Sequence, residues 1–145
     1  MIEYERFQIE EFNIHFEYPS NWKSESEERS TYLFFDEYLG SFRITLIIME
    51  SENFNFISFL NKQFEDNLQF DPKWELFNDR IFVCYAQLSH DIADNSKLHY
   101  YISGENNMLL LCSFAYDREL INSEKIKSEF EKVEHILNSI EIILA

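Results

Sequence analysis

Four residues between positions 90 and 99 have side chains suited to a divalent cation. His90, Asp91 and Asp94 fall in one polar stretch and His99 lies on the strand expected after it, and imidazole with carboxylate is a ligand set such ions accept. On this reading the chain is a metal-dependent enzyme; the competing reading is a solvated loop, because His and Asp are ordinary loop residues. His15 stands between Asn13 and Glu17 on the polar side of an alternating pattern, where a carboxylate neighbour favours the protonated imidazole and a general-base role. The simpler expectation is an exposed strand histidine. His135, among Glu131, Lys132 and Glu134, reads as part of a solvated helix face.

Cys84 and Cys112 lie in apolar runs with no cation beside them in sequence, so both are expected as reduced, buried thiols rather than nucleophiles. Trp22 and Trp74 adjoin strand patterns and are expected in the core rather than on a stacking surface. The sequence has no phosphate-binding loop, Rossmann glycine pattern, nucleophile elbow, zincin helix or Cys-x-x-Cys pair, and only two glycines from which such loops could be made. No cofactor and no catalysis are therefore expected.

The charge balance is 27 acidic against 12 basic residues, a formal −15. Such a field repels nucleic-acid phosphates and anionic lipid, which leaves a basic protein as the attractive partner. Glu25, Glu27 and Glu28, with Asp36 and Glu37 nearby, are the candidate partner-binding residues, against a reading in which they only keep the surface solvated. The opening Met1-Ile2-Glu3-Tyr4-Glu5 is acidic and lacks a leader's cationic and long apolar regions. The longest apolar runs are too short to span a bilayer, so a cytoplasmic protein is expected.

At 145 residues the chain has the size of one domain and can bury a core without disulfide or metal. Fifteen Phe and eight Tyr mean that the core is filled by rings. Strands are expected at 12–18, at 31–35 and 41–49 around Gly40, at 73–77 and 80–88 around Asn78-Asp79, at 97–103 and 108–116, and at 140–144. Residues 23–30 carry no apolar side chain and read as an exposed loop. Helical spacing runs from the cap Asn55 to Phe70, with Phe54 and Phe59 placed as a hydrophobic staple, and again after the cap Asn122, with Ile126, Phe130, Val133 and Leu137 on one stripe. Residues 81–86 and 108–112 are apolar at successive positions, so both of their faces must be covered. Two helices on a mainly antiparallel sheet then give an α+β fold, a three-layer α/β/α sandwich over 1–145.

Two segments carry a family likeness. The strand, proline and tryptophan of Phe12-Asn13-Ile14-His15-Phe16-Glu17-Tyr18-Pro19-Ser20-Asn21-Trp22, and the closing helix and strand of Phe130-Glu131-Lys132-Val133-Glu134-His135-Ile136-Leu137-Asn138-Ser139-Ile140, resemble the Mog1/PsbP-like fold. That fold is common among uncharacterised bacterial domains, and its members are mostly non-enzymatic binding proteins. The resemblance implies a protein-binding or adaptor domain. The charge alone suggests an alternative, an immunity-type protein that neutralises a basic toxin.

Overall fold

The computed structural model describes residues 2–36, 39–51, 53–89 and 95–143. Period-two alternation builds the first hairpin. Strands β1 (Tyr4–Ile9) and β2 (Ile14–Pro19) pair antiparallel with Phe7 opposite Phe16, joined by a 3-10 turn over Glu10–Phe12 that ends on Asn13 in left-handed backbone (φ 53°). The next three strands, β3 (Lys23–Glu27), β4 (Thr31–Phe35) and β5 (Gly40–Ile48), form a meander. Helix α1 (Phe56–Asp66) follows. The Asn55 side chain caps it by accepting from the amides of Ile57 and Ser58, and the Phe54 and Phe59 rings meet at 6.1 Å as the staple requires.

Strands β6 (Lys73–Phe77) and β7 (Arg80–Leu88) meet at Asn78-Asp79, whose φ angles of 52° and 60° suit a two-residue turn with the twist of the strands it joins. Strands β8 (Ser96–Glu105) and β9 (Met108–Asp117) form the longest hairpin. The chain closes with helix α2 (Glu124–Ser139) and the two-residue strand β10 (Glu141–Ile142).

Among the described residues, seven strands make one antiparallel sheet in the order β3-β4-β5-β9-β8-β7-β6, and β1-β2-β10 make a smaller one. One face of the large sheet is covered jointly by the small sheet and α2. Phe16, Phe34, Phe42, Phe82 and Phe114 are wholly buried there, with Ile126, Val133, Ile136 and Leu137 of α2 closing the layer. The rings meet edge-on, as their quadrupoles favour; Phe7 and Phe34 are 5.0 Å apart at 89°. Where β10 stops, the free edge of β2 is met by α2, since the Glu17 amide donates to Ser139 Oγ at 2.8 Å. The other face carries α1, whose Leu60 is buried on Val83 and Ile102. The two interior ribbons are thus covered on both sides: Val83 and Leu109 point one way, Phe82 and Leu110 the other, and all four are buried.

Several local expectations change. Lys23–Glu27 is a strand rather than part of a loop, because an edge strand draws its order from ladder bonds to β4 and can leave all five side chains in water. Gly40 has no positive φ; it is needed for room, since a Cβ there would lie 2.7 Å from the Phe114 ring and 2.9 Å from the Ala115 carbonyl oxygen. Helix α1 ends at Asp66 instead of reaching Phe70, where Asn67 Nδ2 donates back to the Gln63 carbonyl at 2.8 Å. Helix α2 is capped by Ser123, whose Oγ accepts from the Ile126 amide, and not by Asn122. Trp22 is core, but Trp74 is 40% exposed on the edge strand β6.

Candidate partner-binding surface

A single helix about 10–12 Å across cannot cover seven strands spaced about 4.8 Å apart. Helix α1 packs on β7 and β8, and the same face of β3, β4 and β5 lies beyond it. Register places the side chains of that face: Glu25 opposite Leu33, Leu33 opposite Arg43, and Arg43 opposite Ser113. Leu33 and Phe35 are half-buried and belong to neither core cluster.

Glu25, Leu33, Phe35 and Arg43 line an open concavity of about 650 Å³. Leu33, Phe35, Leu39 and Ala115 give it an apolar floor, and Glu25, Asp36 and Asp117 give it an acidic rim. Among the described residues that line it the one cation is Arg43, held by Glu27 with Nε 2.8 Å from Oε1, so the pair contributes little net charge. Asp117 is fixed by the Asn95 amide at 3.0 Å and by the Glu119 backbone N–H. Apolar area inside a charged rim is the anatomy of a protein-binding patch, in which burial supplies affinity and the rim steers and selects.

Of the candidate residues read from the sequence, Glu25 and Asp36 are brought together on this rim. Glu27 is nearby but engaged with Arg43, and Glu28 is exposed in the β3–β4 turn. Glu37, His90, Asp91 and Asp94 lie outside the described residues. Missed from the sequence were Leu33, Phe35, Ala115 and Asp117. A signal for the first two existed, because Tyr32-Leu33-Phe34-Phe35 is apolar at every position and so must place rings and methyls on both faces of β4.

His99 faces the α2 side. Its Nε2 is 3.1 Å from Tyr116 Oη and its ring sits edge-on to Phe130 at 4.7 Å. Burial, with Lys97 adding to it, lowers its pKa to about 4, so the imidazole is neutral at pH 7. Among the described residues, no three His, Cys, Asp or Glu side chains are grouped to hold a metal. His15 pairs with Glu141 (3.2 Å), which links β2 to β10, and His135 pairs with Glu17 (2.8 Å) while stacking on Tyr4 (3.6 Å), which ties α2 to the small sheet. Cys84 and Cys112 are free and buried, and burial raises both thiols far above the usual range.

No family model matches the sequence, and no curated protein does. Solved structures do. A crystal structure from Bacteroides thetaiotaomicron is similar over 97% of this chain, with a TM-score of 0.77 and 15% identity; this chain spans about half of it (48%). The solution structure of cyanobacterial PsbP from Synechocystis sp. PCC 6803 has a TM-score of 0.62 at 9% identity, covering 99% of this chain and 94% of its own. The Saccharomyces cerevisiae Ran-binding protein Mog1p has 0.56 at 9%, covering 98% and 96%. The chain has the Mog1/PsbP-like fold. At these identities the likeness is one of architecture: the Mog1/PsbP-like frame accounts for the antiparallel sheet and the two helices, and function has to be argued from the surface described above. Among the described residues, no helix is long and apolar enough to cross a membrane.

Proposed function

We propose that this chain is a non-enzymatic protein-binding domain of the cytoplasm, that its docking surface is the uncovered half of the sheet beside α1, and that its partner is a basic protein. The observation that carries the reading is the concavity in which Leu33, Phe35 and Leu39 lie exposed to an occupant inside the rim of Glu25, Asp36 and Asp117. A formal −15 speeds the approach of a cation and disfavours nucleic acid and anionic membrane. Mog1p, of the same architecture, is named a Ran-binding protein, which agrees with a binding role for the fold without choosing the partner here.

Affinity capture with the wild-type chain and with Leu33→Asp and Glu25→Lys variants tests the reading. A basic protein retained at low ionic strength by the wild type, released by salt, and lost by both variants is the expected result. Retention by both variants, or the absence of any basic protein at low ionic strength, overturns it. The charge also favours a narrower reading, an immunity-type protein whose partner is a cationic toxin. That reading expects co-expression to rescue cells from a basic toxin encoded beside it, and it fails if the wild-type chain gives no rescue.

A further inference from the structure

The two edges of the seven-stranded sheet are built differently. Strand β3 presents Lys23, Glu25 and Glu27 with Ser24 and Ser26, and charges of this kind deter strand addition. Strand β6 carries fewer charges, and one of its faces is wholly apolar. Trp74 and Leu76 stand on its α1 side, 40% and 66% exposed, and Lys73 and Glu75 stand on the other. Trp74 is already ordered, stacked on Phe64 at 5.3 Å and 11°, so an arriving partner would not have to immobilise it. On the strand itself Lys73 and Glu75 cancel, and Asp71 just before it is paired to Lys73 at 3.2 Å.

Backbone geometry shows which groups are free. Phe77 and Arg80 flank the two-residue turn and form its closing hydrogen-bonded pair. By antiparallel alternation Lys73, Glu75 and Phe77 then bond toward β7, while the N–H and C=O of Trp74 and Leu76 point outward. We propose that β6 pairs with β6 of a second copy, antiparallel about a two-fold axis through Trp74, to join the two seven-stranded sheets into one. In this register Trp74 exchanges both bonds with its own symmetry mate and the Leu76 N–H reaches the Pro72 carbonyl. Pro72, which has no N–H, sits where no donor is needed.

Charge selects this register and this occupant. Lys73 falls opposite Glu75 of the second copy, twice, at the closely spaced positions where side chains approach most. The neighbouring register, centred on Glu75, makes as many backbone bonds but sets Glu75 against Glu75. The Lys-x-Glu pattern is therefore complementary to itself, which a chance foreign strand would not be. Because the two copies repel as wholes, their pairing strengthens as salt screens them, opposite to the behaviour expected of a basic partner on the acidic face.

Sedimentation of the full chain over a concentration series, at low and physiological salt, tests the proposal. The wild type forms a dimer that tightens with salt. Lys73→Glu and Glu75→Lys each put like charges in opposition twice and weaken the dimer about tenfold. The double variant Lys73→Glu/Glu75→Lys restores opposite charges and returns the dissociation constant to the wild-type range. Thermal unfolding of each variant confirms that it is folded. A wild-type monomer at every concentration and salt, or a dimer indifferent to the single changes, or a double variant no better than the singles, overturns the proposal.

Discussion

The Gly40→Ala substitution sets two effects of known size against each other. The backbone at Gly40 is not in the left-handed region, so alanine is conformationally acceptable and by unfolded-state entropy alone would stabilise by about 0.4–1 kcal/mol. The space decides otherwise. The added methyl would sit 2.7 and 2.8 Å from two ring carbons of Phe114 and 2.9 Å from the Ala115 carbonyl oxygen. Phe114 is wholly buried and cannot swing away, and the carbonyl belongs to the central strand β9. Contacts this short, against a ring and a backbone carbonyl that cannot give, call for the upper half of the usual overpacking range, about 2–2.5 kcal/mol, which leaves a net loss of about 1–2 kcal/mol. Urea denaturation should show that loss at unchanged slope, and scanning calorimetry a fall in Tm of roughly 3–8 °C for a domain of this size. A variant as stable as the wild type, or more so, would refute the steric reasoning.

Further expectations follow from other contacts. Leu60→Ala, at the one wholly buried position of α1, should cost about 2–5 kcal/mol in urea, whereas Ile57→Ala on the exposed side of that helix should cost under about 0.5 kcal/mol. With a folded pKa near 4 against 6.5 for the free side chain, His99 is neutral in the fold and takes up its proton on unfolding. The stability linked to it is fully present above pH 6.5 and is lost as pH falls toward 4, about 1–3 kcal/mol after allowance for partial exposure; the His99→Phe variant should show a shallower pH slope across that window. Asn78→Gly keeps the left-handed turn but loses the Nδ2 donation to the Ile140 carbonyl (3.0 Å), so it should cost about 1 kcal/mol, and Asn78→Ala about 2 kcal/mol because strain is added. Both cysteines should resist a thiol reagent at pH 8 in the native state and react fully in denaturant, as absorbance at a fixed reagent excess will show.

The layered architecture was legible because continuous apolar runs admit one explanation, and the structure buries 81–86 and 108–112 from both sides at Val83, Phe82, Leu109 and Leu110. Hairpins announced by Asn78-Asp79 and by Gly104-Glu105-Asn106-Asn107 were legible through turn chemistry; Asn78, Asp79 and Asn106 do adopt positive φ, and the second turn is tighter than read, because β8 runs on to Glu105. Strand β3 was not, since Lys-Ser-Glu-Ser-Glu has no apolar face and its order comes from β4. The surface was half legible. Its acidic residues could be singled out by charge, but their union with Leu33, Phe35 and Ala115 depends on α1 being too narrow for the sheet, which is a property of the assembled layers. The Trp74 reading failed for a related reason: a tryptophan on a strand is buried only if the strand is interior, and strand order is not written in local sequence.

The central claim, that the uncovered sheet beside α1 is where a basic partner docks, is tested most directly by site-specific photocrosslinking in cells. A photoreactive side chain replaces Leu33 in one strain and, as a control, exposed Lys125 of α2 in another. The account predicts a discrete adduct with a basic protein from position 33 only, one that fades when Glu25 is changed to Lys in the same chain. No adduct at 33, or the same adduct from both positions, would contradict it.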